Sequence, residues 1–266
     1  MNTTENQTTF RLQNLSTGYR LRQRDIVLAS GLEATLRTGE LTCLLGPNGA
    51  GKSTLLRTMA RFQEPLAGDI SLQGQPLDSY KPNELARRVG VVLTDKLPSS
   101  NLRAEELVGM GRMPYTGFWG NLSDDDQRAV DEALQMVGMT SFRHRRLSTL
   151  SDGEQQKLMI AKALAQQTPV ILLDEPVAFL DFPSKVEILT LLRRLAREKK
   201  KAVLLSIHDL ELALQTADRL WLLDTQGRLT QGTPAELAHN GSLNIFFTSH
   251  GLSFDPETMQ YSIKKS

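Results

Sequence analysis

The segment Gly46-Pro47-Asn48-Gly49-Ala50-Gly51-Lys52-Ser53-Thr54 matches G-x-x-x-x-G-K-[ST] at every position. Before it lies an apolar run, Leu41-Thr42-Cys43-Leu44-Leu45, that reads as a buried strand; Thr54 to Ala60, which ends it, reads as a helix. Strand, glycine-rich loop and helix in that order are the setting in which this pattern holds a nucleotide triphosphate. Glycines lack a Cβ, so successive backbone N–H groups can curl around phosphate oxygens. The helix N-terminus adds unpaired donors and a partial positive charge at the same spot. Lys52 brings a full charge to the β- and γ-phosphates, and the Ser53 hydroxyl is a ligand for Mg²⁺. A second element, Val170-Ile171-Leu172-Leu173-Asp174-Glu175-Pro176, ends an apolar strand in two carboxylates. There Asp174 is expected to hold Mg²⁺ through water, and Glu175 to orient or deprotonate an attacking water. Without the phosphate loop, such a pair reads equally well as solvated loop residues.

These groups need a scaffold that brings distant segments to one edge. Apolar runs at Val89–Leu93, Val170–Leu173, Ala202–Ser206 and Leu220–Leu223 read as core strands. Helical patterns at Pro183–Lys199 and Leu210–Ala217 alternate with them, which predicts a mostly parallel sheet of the α/β class. Short apolar runs within residues 10–45 predict a small antiparallel sheet at the N-terminus, and Asp69–Leu72 reads as a further strand and turn. From about Asp95 to Ala165 the pattern is helical, clearest over Asp124–Met136 and Gly153–Ala165. Gln226-Gly227 predicts a hairpin turn, and Thr233-Pro234 opens a short capped helix. Residues 1–266 are therefore expected to form one domain. Its nucleotide-binding core with the β subdomain would take residues 10–94 and 166–240, a helical subdomain 95–165, and a C-terminal tail 241–266. Phe246 to Ser266 carries no interpretable motif.

The 266 residues are 40% apolar and 23% charged with a formal net charge of +1, so no basic excess argues for nucleic acid or an anionic membrane surface. The one cysteine, Cys43, excludes an internal disulfide and reads as a small buried hydrophobe suited to a reducing compartment. No apolar stretch approaches the ~18–20 residues needed to span a bilayer. The polar start, Met1 to Thr9, lacks the basic-then-apolar pattern of a signal peptide, so the expectation is a cytosolic protein whose membrane role comes through a partner.

Three weaker features complete the pattern. Leu150-Ser151-Asp152-Gly153-Glu154 opens a helix, and Ser151 with Glu154 also fits an ordinary capping box. His208 follows a strand at the same sheet edge, where a surface histidine is the plain alternative. Leu180-Asp181 lies just beyond Glu175, and otherwise reads as a helix approach ahead of Pro183.

In this order and spacing the segments resemble the ATP-binding-cassette ATPases over roughly residues 10–240. Gly46–Thr54 resembles Walker A, Val170–Glu175 Walker B, Leu150–Glu154 the signature, Leu180-Asp181 the D-loop and His208 the switch histidine. Tyr19 is similar to the family's adenine-stacking aromatic, with a core or surface tyrosine as the other reading. The resemblance implies a P-loop, RecA-like core that hydrolyses ATP with Mg²⁺. Two copies would form a head-to-tail homodimer in which Ser151, Gly153 and Glu154 of one subunit complete the site of the other, with Asp181 as a further nucleotide-binding residue. Lys52, Glu175 and His208 would be the catalytic group. The family usually carries glutamine after the strand at Val89–Leu93, contacting Mg²⁺ and signalling to the membrane partner; Thr94 stands there, shorter but still bearing a hydroxyl. Asp152 replaces the commoner signature glycine, and a carboxylate facing triphosphate is repulsive, so its side chain is expected to turn away.

Gly111-Arg112-Met113-Pro114-Tyr115 resembles the Gly-Arg-x-Pro-(His/Tyr) segment of ATPases serving iron-siderophore, haem and cobalamin importers, and Arg143 to Leu150 fits the same group. A glycine- and proline-bearing loop between helices is the plain alternative. The implied partners are a polytopic permease at the cytoplasmic face of the inner membrane, where the subunit would be peripheral, and indirectly an external substrate-binding protein. Competing readings are a soluble, non-transport cassette ATPase, the ATPase of an exporter, and a binding module without hydrolysis.

Overall fold

The computed structural model describes residues 8–22, 24–93, 101–117, 120–249, 252–258 and 260–263. Strands β1 (Thr8–Arg20) and β2 (Asp25–Arg37) form a long hairpin, followed by β3 (Leu41–Leu45), α1 (Lys52–Met59), β4 (Ala67–Leu72) and β5 (Gln75–Pro76). Next come α2 (Pro82–Ala86), β6 (Val89–Val92), α3 (Ala104–Gly109), α4 (Asp124–Met136) and α5 (Asp152–Ala165). Then β7 (Val170–Leu173), α6 (Phe182–Lys199), β8 (Ala202–Ser206), α7 (Leu210–Thr216), β9 (Arg219–Leu223) and β10 (Leu229–Gly232) alternate. The chain ends in α8 (Pro234–His239), α9 (Ser242–Ser249), β11 (Leu252–Asp255) and β12 (Gln260–Ile263).

Two sheets carry the fold. One is antiparallel in the order β2-β1-β4-β5; the other runs β10-β9-β3-β8-β7-β6, parallel throughout except for β10, which pairs antiparallel with β9. Where sequence alone gives short broken runs over residues 10–45, the structure has two strands of 13 residues each. Their register shifts repeatedly between Leu12 and Gly18, and Asn14 takes a φ of 47°. Those bulges interrupt the two-residue alternation that would mark a continuous strand.

Strands β3, β7 and β8 are buried on both faces, as their unbroken apolar runs require. Alternate residues point to opposite faces. Leu41, Cys43, Leu45, Ile171, Leu173, Val203 and Leu205 join a core covered by α3 to α7, while Leu44, Val170, Leu172, Ala202 and Leu204 meet α1 and the antiparallel sheet. Burial pushes the Cys43 thiol up to about 12, with Asp218 adding to the shift. Among the described residues no helix is long and apolar enough to cross a membrane.

The tail packs onto the first of these cores. Leu243, Phe246, Phe247 and Phe254 are buried in it, and the Phe247 and Phe254 rings stack at 4.9 Å. The first three lie on one face of α9 at i, i+3 and i+4, a pattern present in the sequence but outside the expectations above.

The segment Gly111–Tyr115 ties the helical insertion to the sheet. A Cβ on Gly111 would come 2.2 Å from the Lys162 carbonyl oxygen, so only glycine lets this backbone lie directly on α5. Arg112 donates from Nε to Asp126 Oδ1 at 2.8 Å, and from a terminal nitrogen to the Ala165 carbonyl at 2.8 Å and Gln167 Oε1 at 3.1 Å. Its guanidinium also lies 4.1 Å from the Tyr115 ring centre, while the Tyr115 hydroxyl donates to the Gln166 carbonyl at 2.9 Å. Both members of the Arg112–Asp126 pair have only 8% of the side chain exposed. Removing one partner of such a pair strands the other, so Arg112→Met is expected to destabilise the fold by about 3–5 kcal/mol in denaturant unfolding. A cost under about 1 kcal/mol would mean that the pair is well solvated.

Candidate nucleotide site

The site assembles at the carboxyl ends of β3, β7 and β8, where open parallel sheets place their ligand crevice. β3 delivers Gly46 to Gly51, and α1 starts at Lys52 with Gly51 at φ 98°, a backbone region that side-chain-bearing residues rarely adopt. No side chain caps this helix, so its first N–H groups face the loop. Pro47, Asn48 and Gly49 lie at the open side, Ala50, Gly51 and Thr54 are buried, and Ser53 is half-buried.

Lys52 is folded back over the loop. Its Nζ donates to the carbonyl oxygens of Gly46 at 2.8 Å and Pro47 at 3.1 Å, and the residue is only 5% exposed. Burial lowers the pKa of its ammonium, against the raising pull of Glu175 and Asp174. The Lys52 ammonium thus feels both carboxylates across the space between the ends of β3 and β7.

Asp174 and Glu175 are held from both neighbouring strands. The Asp174 amide donates to the Val92 carbonyl at 2.8 Å, and its Oδ1 accepts from the Ser206 hydroxyl at 2.7 Å. The Glu175 amide donates to the same hydroxyl at 2.8 Å, and Glu175 takes a left-handed φ of 48°. Glu175 Oε1 lies 2.5 Å from His208 Nε2, so carboxylate and imidazole are directly hydrogen-bonded. Asp174 is buried, whereas Glu175 is half-exposed and His208 exposed at the rim. Ser206 closes a strand expected from the sequence but is not among the expected site residues; its signal is a polar residue ending an otherwise apolar strand, two positions before His208.

Tyr19 stands half-exposed at the end of β1, its hydroxyl 3.3 Å from Thr54 Oγ1, which puts the ring at the mouth of the phosphate loop. Ser151, Gly153 and Glu154 lie elsewhere. Ser151 caps α5 by accepting from the Glu154 amide at 3.3 Å, and Glu154 returns the bond to the Ser151 amide at 2.8 Å. Among the described residues, none of these three bonds to Gly46–Thr54. A Cβ on Gly153 would meet the Phe179 carbonyl at 3.2 Å, so the α5 N-terminus sits against the loop that leads to Asp181. Asp181 caps α6 by accepting from the Ser184 amide, and hydrogen bonds from the Ser184 side chain and then its amide hold the carboxyl below its ordinary pKa. Asp152 is exposed in the first turn of α5, where an acid suits the helix N-terminus. Thr94 lies outside the described residues.

A phosphate-loop cassette with a carboxylate-tipped parallel strand one place removed in the same sheet is the class that this fold and site define. A family model described as ABC transporter matches residues 29–178. Over 254 residues the chain is 36% identical to an uncharacterized ABC transporter ATP-binding protein of Methanocaldococcus jannaschii, covering 96% of this chain and 86% of that one. It is 35% identical to the ferric enterobactin transport ATP-binding protein of Escherichia coli, covering 88% and 85%. Among solved structures it is similar to a dimeric post-hydrolysis ATP-binding cassette bound to ADP and Pi, with a TM-score of 0.74 and 27% identity over 84% of this chain and 98% of that one. The chain belongs to the ABC transporter family, as its ATP-hydrolysing cassette.

Proposed function

We propose that this cassette powers an importer for a metal chelate of the iron-siderophore, haem or cobalamin type. The observation that carries the reading is the identity to the ferric enterobactin transport ATP-binding protein over nearly nine-tenths of the chain, 88%. The packing of Gly111 and buried Arg112 against α5, in a segment whose sequence resembles that of importers of this type, supports it. The subunit would act as a homodimer at the cytoplasmic face of the inner membrane, with a polytopic permease and an external substrate-binding protein but no nucleic acid. Residues 10–94 and 166–240 would work as the core, and 95–165 as the unit that meets the permease.

In this reading Lys52 exchanges two carbonyl oxygens for β- and γ-phosphate oxygens, and the uncapped start of α1 completes the cradle from Gly46 to Thr54. Ser53 and Asp174 would hold Mg²⁺; a hydroxyl and a buried carboxylate are hard oxygen donors of the kind this ion takes alongside phosphates and water. When bound, the ion neutralises charge on the phosphate oxygens. Glu175 takes a proton from the attacking water as its oxygen bonds the γ-phosphorus and the bond to the β-phosphate oxygen breaks. His208 orients that carboxylate and senses the γ-phosphate. Tyr19 stacks on adenine, and the partner copy's equivalents of Ser151, Gly153, Glu154 and Asp181 close over the nucleotide.

Purification of the tagged protein from its native membranes, followed by reconstitution of what accompanies it, tests this. The expected result is a multi-span permease that, with ATP, takes up ferric siderophores, haem or cobalamin into vesicles. Recovery free of any permease would move the reading to a soluble cassette, and outward pumping would make it an exporter.

A further inference from the structure

We propose that Ser206 is a positioning residue for hydrolysis, one hydroxyl fixing both the Asp174 carboxylate and the turn that aims Glu175. The proposal rests on the roles given above to those two acids. Ser206 closes β8 after Ala202-Val203-Leu204-Leu205 and precedes Ile207, all buried, and is itself wholly buried. A hydroxyl in such surroundings is costly unless bonded, and this one is used from both sides. Its hydrogen goes to Asp174 Oδ1 at 2.7 Å, and its oxygen receives the Glu175 N–H at 2.8 Å.

The parallel register pairs Leu173 with Leu205, so Ser206 lies beside the point where β7 leaves the sheet. There the ladder stops and Glu175 turns into the left-handed region, at φ 48°, which a residue with a side chain adopts only when its surroundings hold it there. The Ser206 oxygen is the partner that holds the amide of that turn. A hydroxyl serving the strand alone would bond within β8; this one bonds two consecutive residues of the neighbouring strand's end, and both belong to the site. The Val92 carbonyl pins the Asp174 amide from the other side, and Ser206 bonds its carboxylate.

The test compares Ser206→Ala and Ser206→Thr by steady-state ATPase rate, Mg²⁺ titration, Mg²⁺-free ATP affinity and thermal melting. Ser206→Ala is expected to lower kcat by about ten- to a hundredfold, the scale of a small misplacement of catalytic groups. The Mg²⁺ concentration for half-maximal rate should rise several-fold, with Mg²⁺-free ATP affinity unchanged. Ser206→Thr, which keeps the hydroxyl, should recover most of both. Wild-type kcat and Mg²⁺ dependence in Ser206→Ala would overturn the proposal, as would a folded Ser206→Thr as slow as the alanine variant. At saturating Mg²⁺, adding Ser206→Ala to Glu175→Gln should cost little more than Glu175→Gln alone; a full second loss there would place the hydroxyl's effect elsewhere and overturn the proposal. Near-normal turnover in Glu175→Gln alone would remove the base assignment and leave the Mg²⁺ shift to judge Ser206.

Discussion

Glu175→Gln is expected to lower steady-state ATP turnover by about 10²–10⁴-fold, the usual contribution of a positioned general base, while ATP binding persists. The amide keeps the size of the carboxylate and an oxygen facing His208, but it cannot take a proton from water. The backbone amide of residue 175 keeps its bond to Ser206, so the left-handed turn should survive the change. Lys52 and the loop from Gly46 to Thr54 lie outside the substitution, so nucleotide affinity should stay within a few-fold of wild type. A fluorescent-nucleotide titration beside a phosphate-release assay measures both numbers. Normal turnover would show that another group accepts the proton, and lost binding would show that Glu175 shapes the phosphate loop.

Lys52→Ala should act at the opposite end of the cycle, on binding. The Lys52 ammonium bonds two carbonyl oxygens while almost wholly buried. Its removal strands the Gly46 carbonyl, at about 1–3 kcal/mol for an unsatisfied buried group, while Pro47 keeps the Ala50 amide, and it also relieves the desolvation of a cation. The two effects oppose each other, so the melting temperature without nucleotide should move little. Removing one preorganised donor to a charged transition state commonly costs about 10²–10³-fold in rate, and turnover should fall at least that far. Stabilisation by ligand makes the clearest readout. Saturation at about 100 times Kd adds about 2.7 kcal/mol to a protein that binds only when folded, and the variant should lose nearly all of it. A variant that ATP still stabilises fully would take Lys52 out of the binding contacts.

The site was legible in the sequence wherever chemistry and strand pattern coincide. Gly46–Thr54 follows a strand of five apolar-facing residues that the structure reproduces at its predicted bounds, and Asp174-Glu175 closes another. Motifs of that kind are short and local, so one chain suffices to read them. Ser206 was missed because its importance is relational: it lies 31 residues from Glu175, and only the parallel pairing of β7 and β8 brings them together. The same limit hid the length of β1 and β2, whose bulges break the alternation on which a strand reading depends. Arg112 shows the intermediate case. Its motif stood out by resemblance, but its work as a buried tie among Asp126, Ala165 and Gln167 needed three segments folded together. In the tail, the spacing of Leu243, Phe246 and Phe247 was available, and the cluster went unread because one turn of helix is a weak periodic signal.

Cys43 gives the molecule an experimental property that its nucleotide chemistry does not suggest. The one sulfhydryl of the chain is wholly buried in β3 and resists ionisation, so thiolate-seeking reagents find nothing to attack while the protein is folded. The natural sequence is therefore already a blank background for maleimide dyes and spin labels. In the proposed homodimer, a single cysteine introduced at exposed Met113 on the insertion, with its twin in the other copy, would carry the reporters, and the distance between them could be followed through a turnover cycle without first rebuilding the strand that feeds the phosphate loop.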